Sequence, residues 1–129
     1  MQTEHIALPA ATPGHRQPLT VLRFGQPGRG PKAYLQAALH ADEIPALLVA
    51  QKLRELLQAE EAAGRVAGEV VLVPYANPLG LAQHLLGQHV GRFDLRDGVN
   101  FNRMVPDLTD AAAAAVQGRL GSDAAANET

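Results

Sequence analysis

Two short apolar runs flanking an amphipathic segment, between residues 33 and 74, constrain this chain more than any other feature. Ala33-Tyr34-Leu35-Gln36-Ala37-Ala38-Leu39 is a short, mostly apolar run that suits a buried strand. Val70-Val71-Leu72-Val73-Pro74 is a continuous apolar run of the kind found in strands covered on both faces. Between them, from about Ile44 to Ala63, Leu48, Val49, Leu53, Leu56 and Leu57 recur at three- and four-residue spacing, with Lys52, Arg54, Glu55, Gln58 and Glu61 largely opposite. That spacing predicts a helix, with Asp42 as N-cap, Pro45 in the first turn and Gly64 as the stop. Strand, helix, strand in one stretch is a βαβ unit and points to an α/β fold.

The flanking segments are less regular. Leu19-Thr20-Val21-Leu22-Arg23-Phe24, between Pro18 and Gly25, reads as an edge or hairpin strand, and Pro27-Gly28-Arg29-Gly30-Pro31 as a turn. From Tyr75 to Pro106 the pattern is a long structured loop with one short helix around Leu79–Leu86, and long loops inside compact domains are usually functional. Asp110 to Leu120 is Ala-rich and predicts a helix capped by Thr109 or Asp110 and ending near Gly121; residues 122–129 resemble the start of another. The 129 residues suit one domain. With three Phe, two Tyr and no Trp, its core must be built from Leu, Val, Ile and Ala.

Composition narrows the chemistry. Eleven basic and 13 acidic residues are mixed along the chain without a basic stripe, which argues against a nucleic-acid partner. No apolar stretch approaches the roughly 18 to 20 residues that span a bilayer, and Met1-Gln2-Thr3-Glu4-His5 lacks the basic start and apolar run of a secretory signal, so no membrane partner and a cytoplasmic location are expected. The absence of cysteine excludes disulfides and thiolate metal sites, leaving His, Asp and Glu as metal ligands.

Two constellations could carry chemistry. His40 and Glu43 straddle the predicted strand-to-helix junction, the place where open α/β sheets bind ligands. A three-residue step across a tight turn can aim an imidazole nitrogen and a carboxylate at one point, and both are suitable zinc ligands. The same residues also suit a plainer role, with Glu43 complementing the helix dipole and His40 as a satisfied, partly buried histidine. The second constellation is Asn102-Arg103, in a loop that Gly98 opens. The planar Arg fork and a neighbouring amide suit a substrate carboxylate, whereas the plainer reading pairs Arg103 with Asp94, Asp97 or Asp107. Arg92 and Arg96 precede the pair and could add positive charge to the same pocket.

In order, the chain gives His-x-x-Glu, a helix, a buried strand ending in Tyr75-Ala76-Asn77-Pro78, an Arg, then Asn-Arg followed by a nearby Pro. From about Lys32 to Leu108 this order resembles the succinylglutamate desuccinylase/aspartoacylase family, relatives of the zinc carboxypeptidases. The resemblance implies a three-layer α/β fold with a mixed, mostly parallel sheet, here only its first strands and helices. It implies a zinc-dependent hydrolase that cleaves an amide bond in an N-acyl amino acid or similar small carboxylate. By it, His40 and Glu43 become zinc ligands, Asn102 and Arg103 the clamp on the substrate carboxylate, and Arg92 the group polarising the scissile carbonyl, with Arg96 as a competitor for that role. Asn77-Pro78 matches a structural loop.

The departure from the family pattern matters as much. The family's third zinc ligand is a histidine on a later strand, and the glutamate that activates water lies later still. After Arg103 this chain has no histidine, and its later carboxylates are Asp107, Asp110, Asp123 and Glu128; His84 and His89 come too early and suit a loop surface. The expectation is therefore a single, incomplete domain over residues 1–129, the N-terminal part of such an enzyme, holding one zinc weakly or not at all, without its general base and inactive alone. A non-catalytic α/β carboxylate-binding or interaction module is the alternative, and within enzymes a metallocarboxypeptidase acting on peptides. A sheet ending after a few strands leaves an unpaired edge, from which self-association is expected.

Overall fold

A computed structural model describes residues 1–9, 13–103 and 105–128. The elements in chain order are strands β1 (Gln2–Ala7), β2 (Pro18–Gly25) and β3 (Lys32–Gln36), helix α1 (Ile44–Ala62), strand β4 (Glu69–Val73), helix α2 (Pro78–Leu81), strands β5 (His84–Leu85) and β6 (Gln88–His89), and helix α3 (Thr109–Val116); a 3-10 turn, Ala125–Glu128, follows. Four strands form a mixed sheet in the order β1-β2-β4-β3. The predicted βαβ unit is present: β3 and β4 run parallel, with Lys32 opposite Glu69 and Gln36 opposite Val73, joined by α1. The other two pairings, β1–β2 and β2–β4, are antiparallel, so among the described strands the parallel character is confined to the crossover pair.

The helix ends as its sequence dictates. Gly64, at φ +71°, donates its N–H to the Glu61 carbonyl while Arg65 N–H reaches Glu60, two bonds that together close the last turn with a left-handed glycine. The start differs from expectation. Glu43 occupies the N-cap without a side-chain bond, because the Asp42 carboxylate is turned toward Arg92 instead. The buried stripe of α1 also differs. Ala46, Ala50, Leu53 and Leu57 face Leu22, Phe24 and Leu72 of the sheet, while Leu48, Val49 and Leu56 point outward at 70, 66 and 54% exposure. Two alanines thus complete the buried face beside Leu53 and Leu57 of the expected stripe, while the other three of its residues stay outside. Val21, Val71 and Val73 make a second cluster, with Leu19 and Ala76 packed against it.

One strand comes unanticipated, one open alternative is resolved and one expectation is corrected. The polar N-terminal run Gln2–Ala7 is a strand, because β2 gives it a six-residue antiparallel partner and its side chains can stay wet on the outside of a hairpin. β2 is a hairpin strand but not an edge, since it sits between β1 and β4. β3, expected to be buried, ends at Gln36 and is exposed along its length, because β4 is its one described neighbour. Downstream, the short helix stops at Leu81, and Leu86-Gly87, both at positive φ, turn residues 84–89 into a hairpin. α3 starts after Leu108 and ends at Val116, before Gly118 at φ +73°. Among the described residues no helix is long and apolar enough to cross a membrane.

Candidate functional site

The carboxyl end of β3 is followed by a constrained turn. Ala37 remains in register with β4, its N–H bonded to the Val73 carbonyl and its own carbonyl accepting from Ala76 N–H. Ala38 then adopts φ +54°, a left-handed conformation that costs a residue with a Cβ of order 1–2 kcal/mol. Packing enforces it, since Ala38 is 3% exposed. The reversal delivers His40 into the interior, also at 3%, at the entrance to α1. Glycines permit the close fit around it. A Cβ on Gly91 would lie 2.4 Å from Asp42 N and 2.7 Å from Ala41 C, and one on Gly80 would lie 3.0 Å from the Ala41 Cβ. Asn77 locks the same corner from below: its Nδ2 donates to the Leu39 carbonyl at 2.9 Å, and its Oδ1 accepts from Gly80 N–H at 2.8 Å.

Both imidazole nitrogens of His40 are engaged, and the loop 92–103 supplies both partners. A β-bridge between Phe93 and Asn100, with bonds from Asp94 N–H to Val99 and Phe101 N–H to Arg92, folds this loop back on itself. It therefore presents Arg92 and Asn100 to the same ring. The Asn100 Oδ1 lies 2.8 Å from His40 Nε2 and also accepts from Asn102 N–H at 2.9 Å. An atom that accepts from a backbone amide is an oxygen, so Nε2 donates to it and, in the neutral ring, Nδ1 keeps a lone pair. Arg92 agrees with this tautomer, because its Nη1, which can only donate, sits 2.8 Å from Nδ1.

Nδ1 in turn lies 3.1 Å from Glu43 Oε1. With Nδ1 unprotonated, two electron-rich atoms converge with no proton between them, an arrangement that needs a cation. Here the Arg92 guanidinium provides it, with Nη2 3.2 Å from Glu43 Oε1 and Nε 3.3 Å from Asp42 Oδ2. An imidazole lone pair and a carboxylate aimed at one point, with the far imidazole nitrogen held by an acceptor, is also the donor set that zinc takes. The residues present fit two ligand positions. Among the described residues, no group of three or more His, Asp or Glu side chains forms a metal site.

The structure separates the two candidate arginines. Arg96 is folded onto Asp94 through Nε and Nη2, at 3.0 and 2.6 Å, and this fork holds the largely buried Asp94 carboxyl below its ordinary value. Arg92 is the one at His40. Asn102 and Arg103 are exposed, and the Arg103 guanidinium contacts the Asn102 carbonyl at 2.7 Å. Of the aspartates considered as its partners, Asp94 is committed to Arg96. Sequence reasoning missed Asn100, although a third polar side chain two positions before Asn102 was a usable signal, and it is the residue that joins the two motifs.

A sequence model of the succinylglutamate desuccinylase/aspartoacylase catalytic domain matches residues 29–120. Among solved structures, one from Shewanella amazonensis SB2B, of a protein assigned to the succinylglutamate desuccinylase/aspartoacylase family, is similar at a TM-score of 0.70 and 31% identity, over 92% of this chain and 32% of that one. A second, from Shewanella frigidimarina NCIMB 400 and of the same assignment, gives 0.68 and 27%, over 94% of this chain and 32% of that one. The chain thus spans about a third of the length of these structures. Among curated proteins none matches.

Proposed function

Because the chain belongs to the succinylglutamate desuccinylase/aspartoacylase family, a family of deacylase-like hydrolases, we propose that it carries the metal-binding and carboxylate-binding part of a zinc-dependent hydrolase acting on the amide bond of an N-acyl amino acid or a similar small carboxylate. The observation that carries this reading is the convergence of His40 Nδ1 and Glu43 Oε1, 3.1 Å apart, on the Arg92 guanidinium.

In this reading His40 and Glu43 hold the zinc, which when bound supplies a Lewis acid to polarise the scissile carbonyl. With zinc held by His40 and Glu43, Arg92 would keep its anchor on Asp42, and its charge would remain beside the site to stabilise a developing oxyanion. Asn100 holds the imidazole in the Nε2–H tautomer and orients Nδ1. Asn102 and Arg103 grip the substrate's free carboxylate, and their loop is tied to His40 through the shared Asn100 oxygen. Holding the far end of the substrate in this way would orient its amide bond toward the His40–Glu43 pair.

A carboxylate-binding module without hydrolysis is the second reading, favoured by the two-ligand donor set among the described residues. Two measurements address the proposal. Calorimetric titration with zinc is expected to show a binding event in the wild type that is lost in His40→Ala and Glu43→Ala; wild-type affinity no greater than that of His40→Ala defeats the metal claim. Incubation with a panel of N-acyl amino acids separates the readings, because binding without turnover supports the module.

A further inference from the structure

His84 and His89 lie outside the site just described, yet they form a cluster of their own. They are directly opposite each other in the β5–β6 hairpin. The turn between the strands is Leu86-Gly87, so Leu85 and Gln88 flank it as the hydrogen-bonded pair. The next backbone bond falls at Val90 N–H to the Gln83 carbonyl. His84 and His89 are therefore the intervening non-hydrogen-bonded pair, the kind whose side chains approach most closely. Their ring centroids are 5.3 Å apart, tilted by 46°.

The pair sits on a rigid base. Gln83 Nε2 donates to the Val90 and Phe93 carbonyls at 2.9 and 2.8 Å, and its Oε1 accepts from Leu95 N–H at 2.8 Å, so one side chain pins the hairpin to the following loop. His89 is half-buried and His84 exposed. Most informative is the His89 Nε2, 3.0 Å from the Gly80 carbonyl. A carbonyl only accepts, so Nε2 carries the proton and Nδ1 keeps its lone pair. An imidazole whose far nitrogen donates to a backbone carbonyl is oriented and made more basic as a metal ligand.

We propose that His84 and His89 form a second metal site, a cross-strand imidazole clamp for a borderline divalent ion such as Cu²⁺, Ni²⁺ or Zn²⁺, with His89 binding through Nδ1. Imidazole donors select these ions over Mg²⁺ and Ca²⁺, which require oxygen ligands. Two protein ligands leave the remaining positions to water, so this is an open, exchangeable site beside the His40 corner, where the His89 ring already lies against Gly91.

The test uses Cu²⁺ as probe in the His40→Ala background, which removes the first site from the measurement. Substoichiometric Cu²⁺ is expected to broaden the imidazole signals of His84 and His89 together, ahead of those of His5 and His15. Replacing either one with Ala should weaken Cu²⁺ binding on the order of tenfold or more, since loss even of an outer-shell partner has that effect, while circular dichroism stays unchanged. Mg²⁺ should give no response. Broadening centred on His5 or His15, or affinity unchanged in both His84→Ala and His89→Ala, overturns the site. Because His40 is absent throughout, this outcome is independent of the proposed hydrolase.

Discussion

The Asn100 Oδ1 accepts from His40 Nε2 at 2.8 Å across 60 residues of sequence, and the same oxygen accepts from Asn102 N–H at 2.9 Å. One amide thereby ties the candidate metal ligand to the loop that carries the candidate carboxylate clamp. Asn100→Ala should weaken zinc binding about 10- to 100-fold, the usual effect of losing an outer-shell partner. Asn100→Asp, which keeps the acceptor, should retain it. Competition against a chromophoric chelator measures both; an Asn100→Ala affinity equal to wild type would show that the bond orients nothing.

Gly91 is a packing probe for the same corner. Its missing Cβ would lie 2.4 Å from the Asp42 backbone nitrogen and 2.9 Å from the His89 ring, atoms that cannot give way cheaply. Gly91→Ala should destabilise the fold by about 1–3 kcal/mol in urea unfolding, as overpacking does, and should lower zinc affinity by displacing residues 41–42. A variant as stable as wild type would mean this corner is looser than its geometry implies.

Acid stability should reflect Glu69. Its side chain is 6% exposed, and Lys32 first, then Arg23, hold its pKa below the ordinary value of 4.5. A carboxyl whose folded pKa is depressed adds stability above its unfolded value, and that stability disappears as pH falls through the folded one. Chemical denaturation between pH 7 and 3 should therefore show a loss that begins near 4.5 and is smaller in Glu69→Gln, which starts less stable at neutral pH. Parallel curves for the two proteins would remove Glu69 from the explanation.

The edge of β3 should drive self-association. All five of its residues are exposed, Tyr34 and Leu35 at 59 and 38%, and β4 is its one described partner. Unpaired strand edges with apolar neighbours recruit further strands. Light scattering at tens of micromolar should report species above monomer mass, reduced in Leu35→Lys. A strictly monomeric wild type would count against it.

The βαβ unit was legible because periodicity and stop signals agree there: the apolar runs at 33–39 and 70–74, the helix between them and the closing Gly64 all appear near their expected places. Of the predicted stripe, Leu53 and Leu57 face the sheet but Leu48, Val49 and Leu56 do not, because composition cannot say which of two apolar faces meets the sheet, and Ala46 and Ala50 take their place. Strand β1 was hidden because its polar residues gain strand structure only from β2. At the site, the His40–Glu43 step is local, so its convergence could be anticipated from spacing. The choice of Arg92 over Arg96 and the part played by Asn100 depend on how loop 92–103 folds over His40, a contact that no local pattern encodes.

The most direct test is the state of the His40 ring, followed by long-range proton–nitrogen NMR during a zinc titration. Before metal, His40 should show the Nε2–H tautomer that the Asn100 bond requires. On addition of zinc, the Nδ1 resonance should move, with Nε2 still protonated and the Arg92 side-chain signals shifting as the guanidinium leaves the ring. An Nδ1–H tautomer at the outset, or an Nδ1 signal indifferent to zinc, would contradict the assignment of His40 and Glu43 as a metal-holding pair.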